Sequence, residues 1–476
     1  MSEESSWIAW AIVAPLLGAV ASLLAGRRGA IVAATATIAT LVCVAFVVRR
    51  AGGATMRHVV GGWGAPLGID LRADGLAVLL LATFGAVAPL VGLYASGHYA
   101  SGRRRRGFFS LSLLAWAGFN ALVLSGDVFN LYVTLELLTL VAVALTGVEG
   151  GGVRRVLEAG LGYLFVSLLG SLLYLLGVAL LYGGAGTLDA RLLATRLVPG
   201  PLAWTALAVM TAGLCLKAGL FPMHAWIPPA YVSASAPVSA LLSALLGKAP
   251  WVVLLRLWLE AFANLTRPAG SLVVAVLGAC AVAWGSALAL RQRRLKRVLA
   301  YSSLAHVGYL FLLFPPASTR AYAGVVYVAV SHAFASAAMF AAAGVVERSI
   351  GRDDLDALQG LAHRRPLTFV ALGLAGTSLI GLPPSGGFVA KYFIARAALE
   401  NGEWWWAIVV LAGGLLAAGY VIPILRSAFM PLSSGAHLRP VARRTELASL
   451  ALAVAAIALG VAPASPLSLL DVGPAP

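Results

Sequence analysis

The sequence predicts an all-α polytopic membrane protein of about 14 transmembrane helices, and three observations support this. The 476 residues are 61% hydrophobic and only 11% charged, whereas a soluble domain carries about 25% charged residues. The apolar residues form runs long enough to cross a bilayer, which takes about 20 residues per helix. The basic residues lie in short clusters between these runs. The composition therefore excludes a soluble enzyme, a disordered chain and a fibrous protein.

Fourteen apolar runs are candidate transmembrane helices. They centre on residues 7–25, 29–48, 75–95, 108–125, 128–147, 157–182, 201–221, 237–262, 270–290, 298–314, 321–346, 366–399, 404–430 and 447–463. The first run is predicted to be a retained helix, because Glu3 and Glu4 precede it in place of the positive segment of a signal peptide. In the longest outer loop, GGWGAPLGIDLR (61–72) indicates a turn and a short extended stretch. No long linker interrupts the runs, so residues 1–476 are predicted to form one membrane domain.

The basic clusters predict the orientation of the helices. With the N-terminus outside and the runs alternating in direction, the inner loops carry 21 basic residues and the outer loops carry 8. Inner loops of membrane proteins carry an excess of Lys and Arg, and a wrong helix count would scramble this bias. The sequence therefore predicts a multi-pass protein of the cell's inner (plasma) membrane, in contact with the lipid bilayer and with both termini outside. The net charge of +16 is read as this topology signal, and nucleic acid is not a predicted partner.

Lysine is rare in this chain and is placed differently from arginine. Of the 34 basic residues only four are lysines; Lys296 lies in a predicted basic inner loop, whereas Lys217, Lys248 and Lys391 lie within apolar runs. Arginine stays protonated in proteins, but a lysine in an apolar site can release its proton. Because ionisable groups at membrane depth are costly, they usually mark ion or proton pathways. The three lysines therefore predict a proton-transfer path.

Further ionisable side chains lie within apolar runs, namely Glu136, His224, His306 and His332. Each has a structural alternative, which is a salt bridge for Glu136 and the lysines and a hydrogen bond within the bundle for the histidines. Arg256 is predicted to lie near a helix end, where it can extend its head to water. Three cysteines stand far apart without a CxxC pair, so no metal site, iron–sulfur cluster or other cofactor is expected in this chain.

Proline and glycine interrupt two of the apolar runs. The segments are LCLKAGLFPMHAWIPPAY (214–231) and LIGLPPSGGFVAKYF (379–393). Such breaks persist at membrane depth only where they face protein or a water-filled cavity. They fall in the seventh and twelfth runs, and matched breaks favour an inverted repeat, here of helices 4–8 (residues 108–262) and 9–13 (residues 270–430). Pro250 is also predicted to kink the eighth helix beside Lys248.

Several long segments resemble one protein family. They are KAGLFPMHAWIPPAYVSASAPVSALLSALLGKAPWVVLLRL (217–257), LKRVLAYSSLAHVGYLFL (295–312), SHAFASAAMFAAAG (331–344) and GLPPSGGFVAKYF (381–393). They are similar to the signature of the proton-pumping subunits of respiratory complex I and of Mrp-type cation/proton antiporters. The resemblance covers about residues 60–430. Within the family, GGWGAPLGIDL and SGDVFNLYVTLELL (125–138) look most like the D-type subunit of Mrp antiporters.

The resemblance implies a role for each buried ionisable residue. Glu136 would be the fifth-helix glutamate that pairs with Lys217, Lys248 the central relay, His332 the eleventh-helix histidine and Lys391 the lysine of the exit half-channel. The chain departs from the family at two positions, because some members have histidine where it has Ser243 and lysine where it has Ser336. Auxiliary candidates for the path are His224, Ser243, His306 and Ser336.

The predicted function is that of a proton-translocating, antiporter-like membrane subunit of a hetero-oligomeric complex, with other membrane subunits as partners and protons as cargo. Two alternatives stay open at this point. One is a Na⁺/H⁺ antiporter subunit without redox coupling, and the other is a membrane-arm subunit of a quinone oxidoreductase or hydrogenase. No catalytic residue, flavin loop or nucleotide loop is visible in the sequence. The chain is therefore predicted to have no redox site of its own, although it can belong to a translocase resembling NADH:quinone oxidoreductase.

Overall fold

The computed structural model describes residues 5–51, 54–100, 102–148, 153–265, 268–431 and 439–472. Glu3 and Glu4, which supported a retained first helix, and Arg267, one of the eight basic residues counted in the outer loops, lie outside these ranges. The helices are α1 (Ser6–Leu24), α2 (Gly29–Arg50), α3 (Gly75–His98), α4 (Arg103–Leu124), α5 (Val128–Thr146), α6 (Val153–Ala185), α7 (Ala190–Arg196), α8 (Pro201–Ala218), α9 (Ile227–Ser233), α10 (Ala236–Ala244), α11 (Ala249–Arg256), α12 (Pro268–Leu290), α13 (Leu295–Tyr309), α14 (Thr319–Ile350), α15 (Leu361–Arg364), α16 (Pro366–Ile380), α17 (Gly386–Glu400), α18 (Trp404–Phe429), α19 (Arg443–Val461) and α20 (Ala464–Ser468).

Twelve helical spans within the described residues are long and apolar enough to cross a membrane. The other two predicted runs take shorter helices. Run 298–314 becomes α13, which ends at Tyr309, and run 366–399 is divided into α16 and α17. The multi-pass helical architecture is therefore confirmed, while the count of 14 transmembrane helices is not.

Helix α14 lies at the centre of the bundle. Its span is entirely buried, and it packs against α10, α16, α17 and α19. Its segment SHAFASAAMFAAAG is made mostly of small residues, which let neighbouring helices approach closely. The outer helices expose large apolar side chains instead, such as Leu415 on α18, which is 76% exposed. This distribution suits a protein whose outer surface meets lipid.

The loop between α2 and α3 forms a β-hairpin, the one sheet within the described residues. Strand β1 (Met56–Val59) pairs antiparallel with β2 (Asp70–Ala73), with Val59 opposite Asp70. The predicted extended stretch corresponds to β2, and β1 was not predicted. The hairpin is held to the bundle by Arg72, which donates a hydrogen bond to the carbonyl of Gly126 between α4 and α5 at 3.0 Å.

Three helices are broken within the bundle. Helix α8 ends at Gly219, whose φ of 66° is left-handed, and the chain resumes as α9. Helix α16 ends in the same way at Gly381, with φ 87°, before α17. The third break is the 3₁₀ turn Leu246–Lys248 between α10 and α11. Pro250 lies in the first turn of α11, where proline is tolerated, so this break precedes the proline. The five-helix repeat stays a prediction.

Two basic residues lie deeper than the sequence predicted. Lys296 is not in a loop but in the first turn of α13, and its side chain is only 6% exposed. Arg256 does not extend to water, because its guanidinium donates to both carboxylate oxygens of Asp74 at 2.7 and 3.0 Å. Asp74 also caps α3 by accepting from the amide of Ala77. A carboxylate partner close in space, which the sequence could not reveal, keeps each cation buried.

Candidate functional site

A buried ion pair joins α5, α6 and α8. The ammonium of Lys217 in the last turn of α8 donates to Glu136 Oε1 at 2.5 Å and to Ser171 Oγ at 2.5 Å. Ser171 also donates to Glu136, and the carbonyl of Ser167 lies 3.4 Å from the ammonium. The side chains of Lys217 and Glu136 are 2% and 17% exposed. Charge-assisted hydrogen bonds of this kind are roughly twice as strong as neutral ones, so the pair stabilises the charged form of Lys217.

Two glycines bring α6 and α8 close enough for this contact. A Cβ atom on Gly170 would lie 2.7 Å from Lys217 Cγ and 2.6 Å from the carbonyl oxygen of Gly213. A Cβ on Gly213 would lie 2.4 Å from the carbonyl oxygen of Gly170. Because neither position has room for a side chain, the lysine passes directly over the facing helix to reach Glu136.

A small cavity lies between Lys217 and the turn that carries Lys248. Its volume of about 10 Å³ is close to the minimum that holds one water molecule. Its lining includes the polar residues Thr139, Ser167 and Lys217. It also includes Gly247, the residue before Lys248. A single water there can bridge the two lysine sites.

Lys248 is stabilised by a helix end instead of a carboxylate. Its ammonium donates to the carbonyl of Ser243 at 2.6 Å and also to that of Ala244. Both carbonyls belong to the last turn of α10. Such carbonyls have no intrahelical partner and carry the negative end of the helix dipole. The break after Ala244 therefore creates a site for a cation within the membrane.

Lys391 uses the same device at the other broken helix. From α17 it reaches back to the carbonyls of Leu379 and Ile380, at 2.9 and 2.8 Å, which end α16. Its ammonium lies 4.8 Å from the centre of the Tyr309 ring, a favourable cation–π distance. Gly381 leaves room for the lysine, because a Cβ there would lie 2.6 Å from Lys391 Cδ.

Two histidines lie beside Lys391. His306 Nε2 lies 3.3 Å from the carbonyl oxygen of Leu379, which also accepts from Lys391, and His306 Nδ1 lies 2.8 Å from the carbonyl oxygen of Ser302. The ring of His332 lies 4.5 Å from that of His306. Among the described residues neither ring nitrogen of His332 has a hydrogen-bond partner. The two rings thus form one polar cluster with Lys391.

Serines on facing helices connect this cluster with Lys248. Ser243, whose carbonyl holds Lys248, has its hydroxyl 2.8 Å from that of Ser303 on α13. The next polar residue along α13 is His306. Ser303 and His306 lie one helical turn apart on α13. They contact Ser243 and the carbonyl of Leu379 respectively, so this turn joins the Lys248 and Lys391 sites.

Two of the auxiliary candidates lie apart from these lysines. The ring of His224, at the α8–α9 break, stacks on Phe221 with 5.8 Å between ring centres. The hydroxyl of Ser336 lies 3.5 Å from the carbonyl oxygen of Ala333 on its own helix. In the described parts of the chain no hydrogen bond joins either residue to Lys217, Lys248 or Lys391. Their auxiliary role stays a prediction.

Sequence reasoning missed the groups that hold the lysines in place. Ser167 and Ser171 are four residues apart and so lie on one face of α6, a signal that could have indicated them. The carbonyls of Ser243, Ala244, Leu379 and Ile380 carry no sequence signal, since every residue has one. A search of the described residues finds no group of three or more His, Cys, Asp and Glu side chains that could hold a metal ion.

Broken helices that hold buried ionisable groups are typical of membrane proteins that move ions or protons, and this chain has that arrangement at Lys217, Lys248 and Lys391. The family described as NADH:quinone oxidoreductase/Mrp antiporter, transmembrane region, matches residues 125–417, and the chain belongs to this family. The matched region contains Glu136, the three buried lysines and both histidines of the cluster.

Relatives from both branches of the family match most of the chain. NADH-quinone oxidoreductase subunit N of Desulforudis audaxviator is 36% identical over 94% of this chain and 93% of its own. The D-type subunit of the Na⁺/H⁺ antiporter of Alkalihalophilus pseudofirmus is 30% identical over 78% of this chain and 75% of its own. The resemblance to this combined family is therefore confirmed.

Solved structures confirm the fold over nearly the whole chain. A chain of the Mrp complex from Dietzia sp. DQ12-45-1b matches with a TM-score of 0.89 and 25% identity, covering 99% of this chain and 97% of that one. A chain of an archaeal membrane-bound sulfane sulfur reductase matches with a TM-score of 0.88 and 26% identity, covering 98% and 96%. Both neighbours are parts of multi-subunit membrane complexes, which supports the prediction that this chain partners with other membrane subunits.

Proposed function

We propose that this chain translocates protons as one membrane subunit of a larger complex, with Lys217, Lys248 and Lys391 as successive proton carriers. The observation that carries the proposal is the way the three ammonium groups are held. Each is at least nine-tenths buried, and each contacts either a carboxylate or the open end of a broken helix. Ionisable side chains are energetically costly to bury within a membrane, and those that occur there usually mark an ion or proton pathway.

The first step is governed by the contact between Glu136 and Lys217. While they touch, the lysine holds its proton; when they separate, it loses its main stabilising partner. Breaking a buried ion pair costs roughly 3–5 kcal/mol, more than the roughly 2.3 kcal/mol needed to move one charge against 100 mV. Separating the pair thus changes the stability of the protonated lysine by more than this transport cost, so a neighbouring subunit that does the work of moving Glu136 can release the proton toward the cavity beside Gly247.

The later steps follow the polar groups between the other two lysines. A proton on Lys248 repels the next positive charge, and Ser243 and Ser303 offer hydroxyls toward His306. His306 and Lys391 both contact the carbonyl oxygen of Leu379. The ring of His332 packs against the ring of His306. Water completes the gaps between these groups. In this proposal both histidines belong to the path between Lys248 and Lys391.

Proton flux through the reconstituted complex tests the proposal. Lys217→Ala and Lys391→Ala are each expected to abolish coupled flux while the complex still assembles. Arg396→Ala is the matched control, because Arg396 lies on α17 with Lys391 but has a half-exposed side chain. Unchanged flux in both lysine variants, measured with a pH-sensitive dye in proteoliposomes, would end this account.

The comparisons favour two sources of energy for the same path. Relatives named as D-type subunits of Na⁺/H⁺ antiporters favour sodium–proton exchange, and relatives named NADH-quinone oxidoreductase subunit N favour a redox-driven membrane arm. We propose that the chain itself carries neither a cofactor nor a catalytic residue, so that the energy enters from partner subunits. An assay on membranes that contain the complex distinguishes these two energy sources. A sodium gradient is expected to drive proton movement without an electron donor only if the complex is a sodium–proton exchanger.

We also propose that the chain lies in the plasma membrane with both termini outside, as the basic inner loops indicate. Trp63, exposed on the β-hairpin, would then face the outside and Arg104 the inside. An impermeant thiol reagent is expected to label Trp63→Cys in intact cells and Arg104→Cys only after permeabilisation. The reverse pattern would invert the topology.

A further inference from the structure

A fourth lysine is buried on the side of the protein that carries the basic loops. Lys296, in the first turn of α13, pairs with Glu347 near the end of α14 at 2.7 Å. Its side chain is 6% exposed, whereas that of Glu347 is 44% exposed. The ammonium also lies 3.4 Å from the carbonyl oxygen of Ala234, between α9 and α10. The pair therefore has one member open to the surface and one turned into the bundle.

Both members line a large polar cavity that opens at this face. Its volume is about 720 Å³, far more than the roughly 30 Å³ that one water occupies in the liquid. The C-terminal ends of α3, α9 and α14 and the N-terminal starts of α6, α13 and α19 surround it. Water can thus reach Glu347 directly and Lys296 behind it.

Polar groups continue inward from Lys296 along α9 and α10. Ser239, which is fully buried, lies 3.4 Å from the same Ala234 carbonyl and donates to the carbonyl of Tyr231 at 2.7 Å. The hydroxyl of Tyr231 donates to the carbonyl of Leu242 at 3.3 Å. It also lies 2.6 Å from the point where a Cβ atom on Gly247 would be. Gly247 lines the small cavity next to Lys217.

The line therefore ends where the paths of Lys217 and Lys248 meet. Helix α10 has nine residues, which at 1.5 Å per residue is roughly 14 Å. Helix α10 lies in the chain between Ala234, which lines the polar cavity, and the turn that carries Lys248. The hydroxyls of Ser239 and Tyr231 divide that length into shorter steps that water molecules can bridge.

We propose that Lys296 and Glu347 form the proton inlet of this subunit. The inference rests on the proposed function, since it names where the protons for Lys217 enter. Starting from the ion pair, the ammonium of Lys296 gives a proton to the water chain beside Ser239 and Tyr231, which protonates Lys217 after it has discharged. The carboxylate of Glu347 then takes a proton from water in the cavity and passes it to the neutral amine that Lys296 has become. This second transfer restores the ammonium and the carboxylate of the starting pair.

A purely structural ion pair between α13 and α14 is the alternative, and Lys296→Arg separates the two. Arginine keeps the positive charge and can pair with Glu347, but it does not release its proton. A structural clasp is preserved by this substitution, whereas a proton inlet is blocked. Glu347→Gln is a second variant, because an amide still accepts a hydrogen bond from Lys296 but cannot carry a proton.

The test measures proton flux per assembled complex in proteoliposomes. Lys296→Arg is expected to lower flux about tenfold or more, the factor that corresponds to roughly 1.4 kcal/mol, and Glu347→Gln is expected to lower it several-fold. The matched control is Arg294→Lys. The Arg294–Asp353 pair lines the same cavity at 2.9 Å but has no link to Ala234.

The outcomes distinguish this inference from the proposed function. If Lys296→Arg retains wild-type flux while Lys391→Ala abolishes it, the inlet is overturned and the path stands. If Lys391→Ala also retains flux, both fail. Should Lys296→Arg not assemble, Glu347→Gln decides, because wild-type flux in that variant excludes a proton inlet at this pair.

Discussion

Replacing Gly381 by alanine tests whether proton flux depends on the position of the Lys391 ammonium at the end of α16. Gly381 has φ 87°, and an L-residue in the left-handed region costs roughly 1–2 kcal/mol. The new Cβ would also lie 2.6 Å from Lys391 Cδ and 3.4 Å from its ammonium nitrogen. Because the lysine is the flexible partner in this contact, the substitution displaces its ammonium from the carbonyls that end α16.

The chain supplies a control with the same backbone strain and no contact. Gly402 has φ 77°, and a Cβ there would meet nothing within 4 Å. Gly402→Ala therefore has the strain alone, whereas Gly381→Ala also weakens the hydrogen bonds to Leu379 and Ile380. A hydrogen bond to a charged group contributes about 1.5–3 kcal/mol. Loss of one such bond corresponds to about a tenfold change or more in how often the ammonium occupies its site.

Both variants are assayed as the assembled complex in proteoliposomes, with thermal stability measured in parallel. The midpoint of unfolding is expected to fall in both variants because they share the backbone strain, and to fall further in Gly381→Ala because the hydrogen bonds of Lys391 are also weakened. Proton flux is expected to fall about tenfold in Gly381→Ala and to stay near wild type in Gly402→Ala. Equal flux in the two variants would refute the reasoning that the carbonyls of α16 position a working proton carrier.

Three further predictions concern other contacts of the chain. Glu136→Gln removes the carboxylate from a buried pair, a loss of roughly 3–5 kcal/mol, and should reduce proton flux at least tenfold. The control Glu158→Gln, in the exposed pair on α6, should not reduce it, and equal flux in the two variants would contradict the release step. Ser303→Ala removes the 2.8 Å hydroxyl contact to α10 and should lower flux several-fold with normal assembly, so wild-type flux would exclude this bridge. Arg256→Gln removes the ion pair with Asp74, whose side chain is 25% exposed, and should lower the thermal midpoint by the loss of up to roughly 3 kcal/mol with unchanged flux per assembled complex.

The architecture was predictable because the bilayer constrains sequence strongly. Every membrane-spanning helix needs a long apolar run, and arginine clusters in the loops separate the runs. The breaks at Gly219 and Gly381 were predictable from proline and glycine within such runs. The number of membrane-spanning helices was harder to predict, because α13 and α16 are each only 15 residues long. A break that is buried by its neighbours shortens a helix without leaving a polar segment in the sequence.

The candidate site was predictable only in part. Glu136 and the three intramembrane lysines stood out because charged residues are rare in apolar runs. Lys296 did not, because its neighbours in sequence are arginines of a loop and its partner Glu347 lies 51 positions further along the chain. His306 was predicted as an auxiliary candidate, whereas Ser303 was not predicted, because its hydroxyl contact with Ser243 joins two helices that are far apart in sequence.

The sequence by itself determined that this is a multi-pass membrane protein with a few lysines kept within it, because hydropathy and charge act locally along the chain. The tertiary structure alone decided what each lysine touches. Lys217 meets a carboxylate, whereas Lys248 and Lys391 meet the carbonyls of helix ends. Those partners come from other helices or from a turn of backbone, and a carbonyl becomes a cation site only where packing has broken the helix that would otherwise use it.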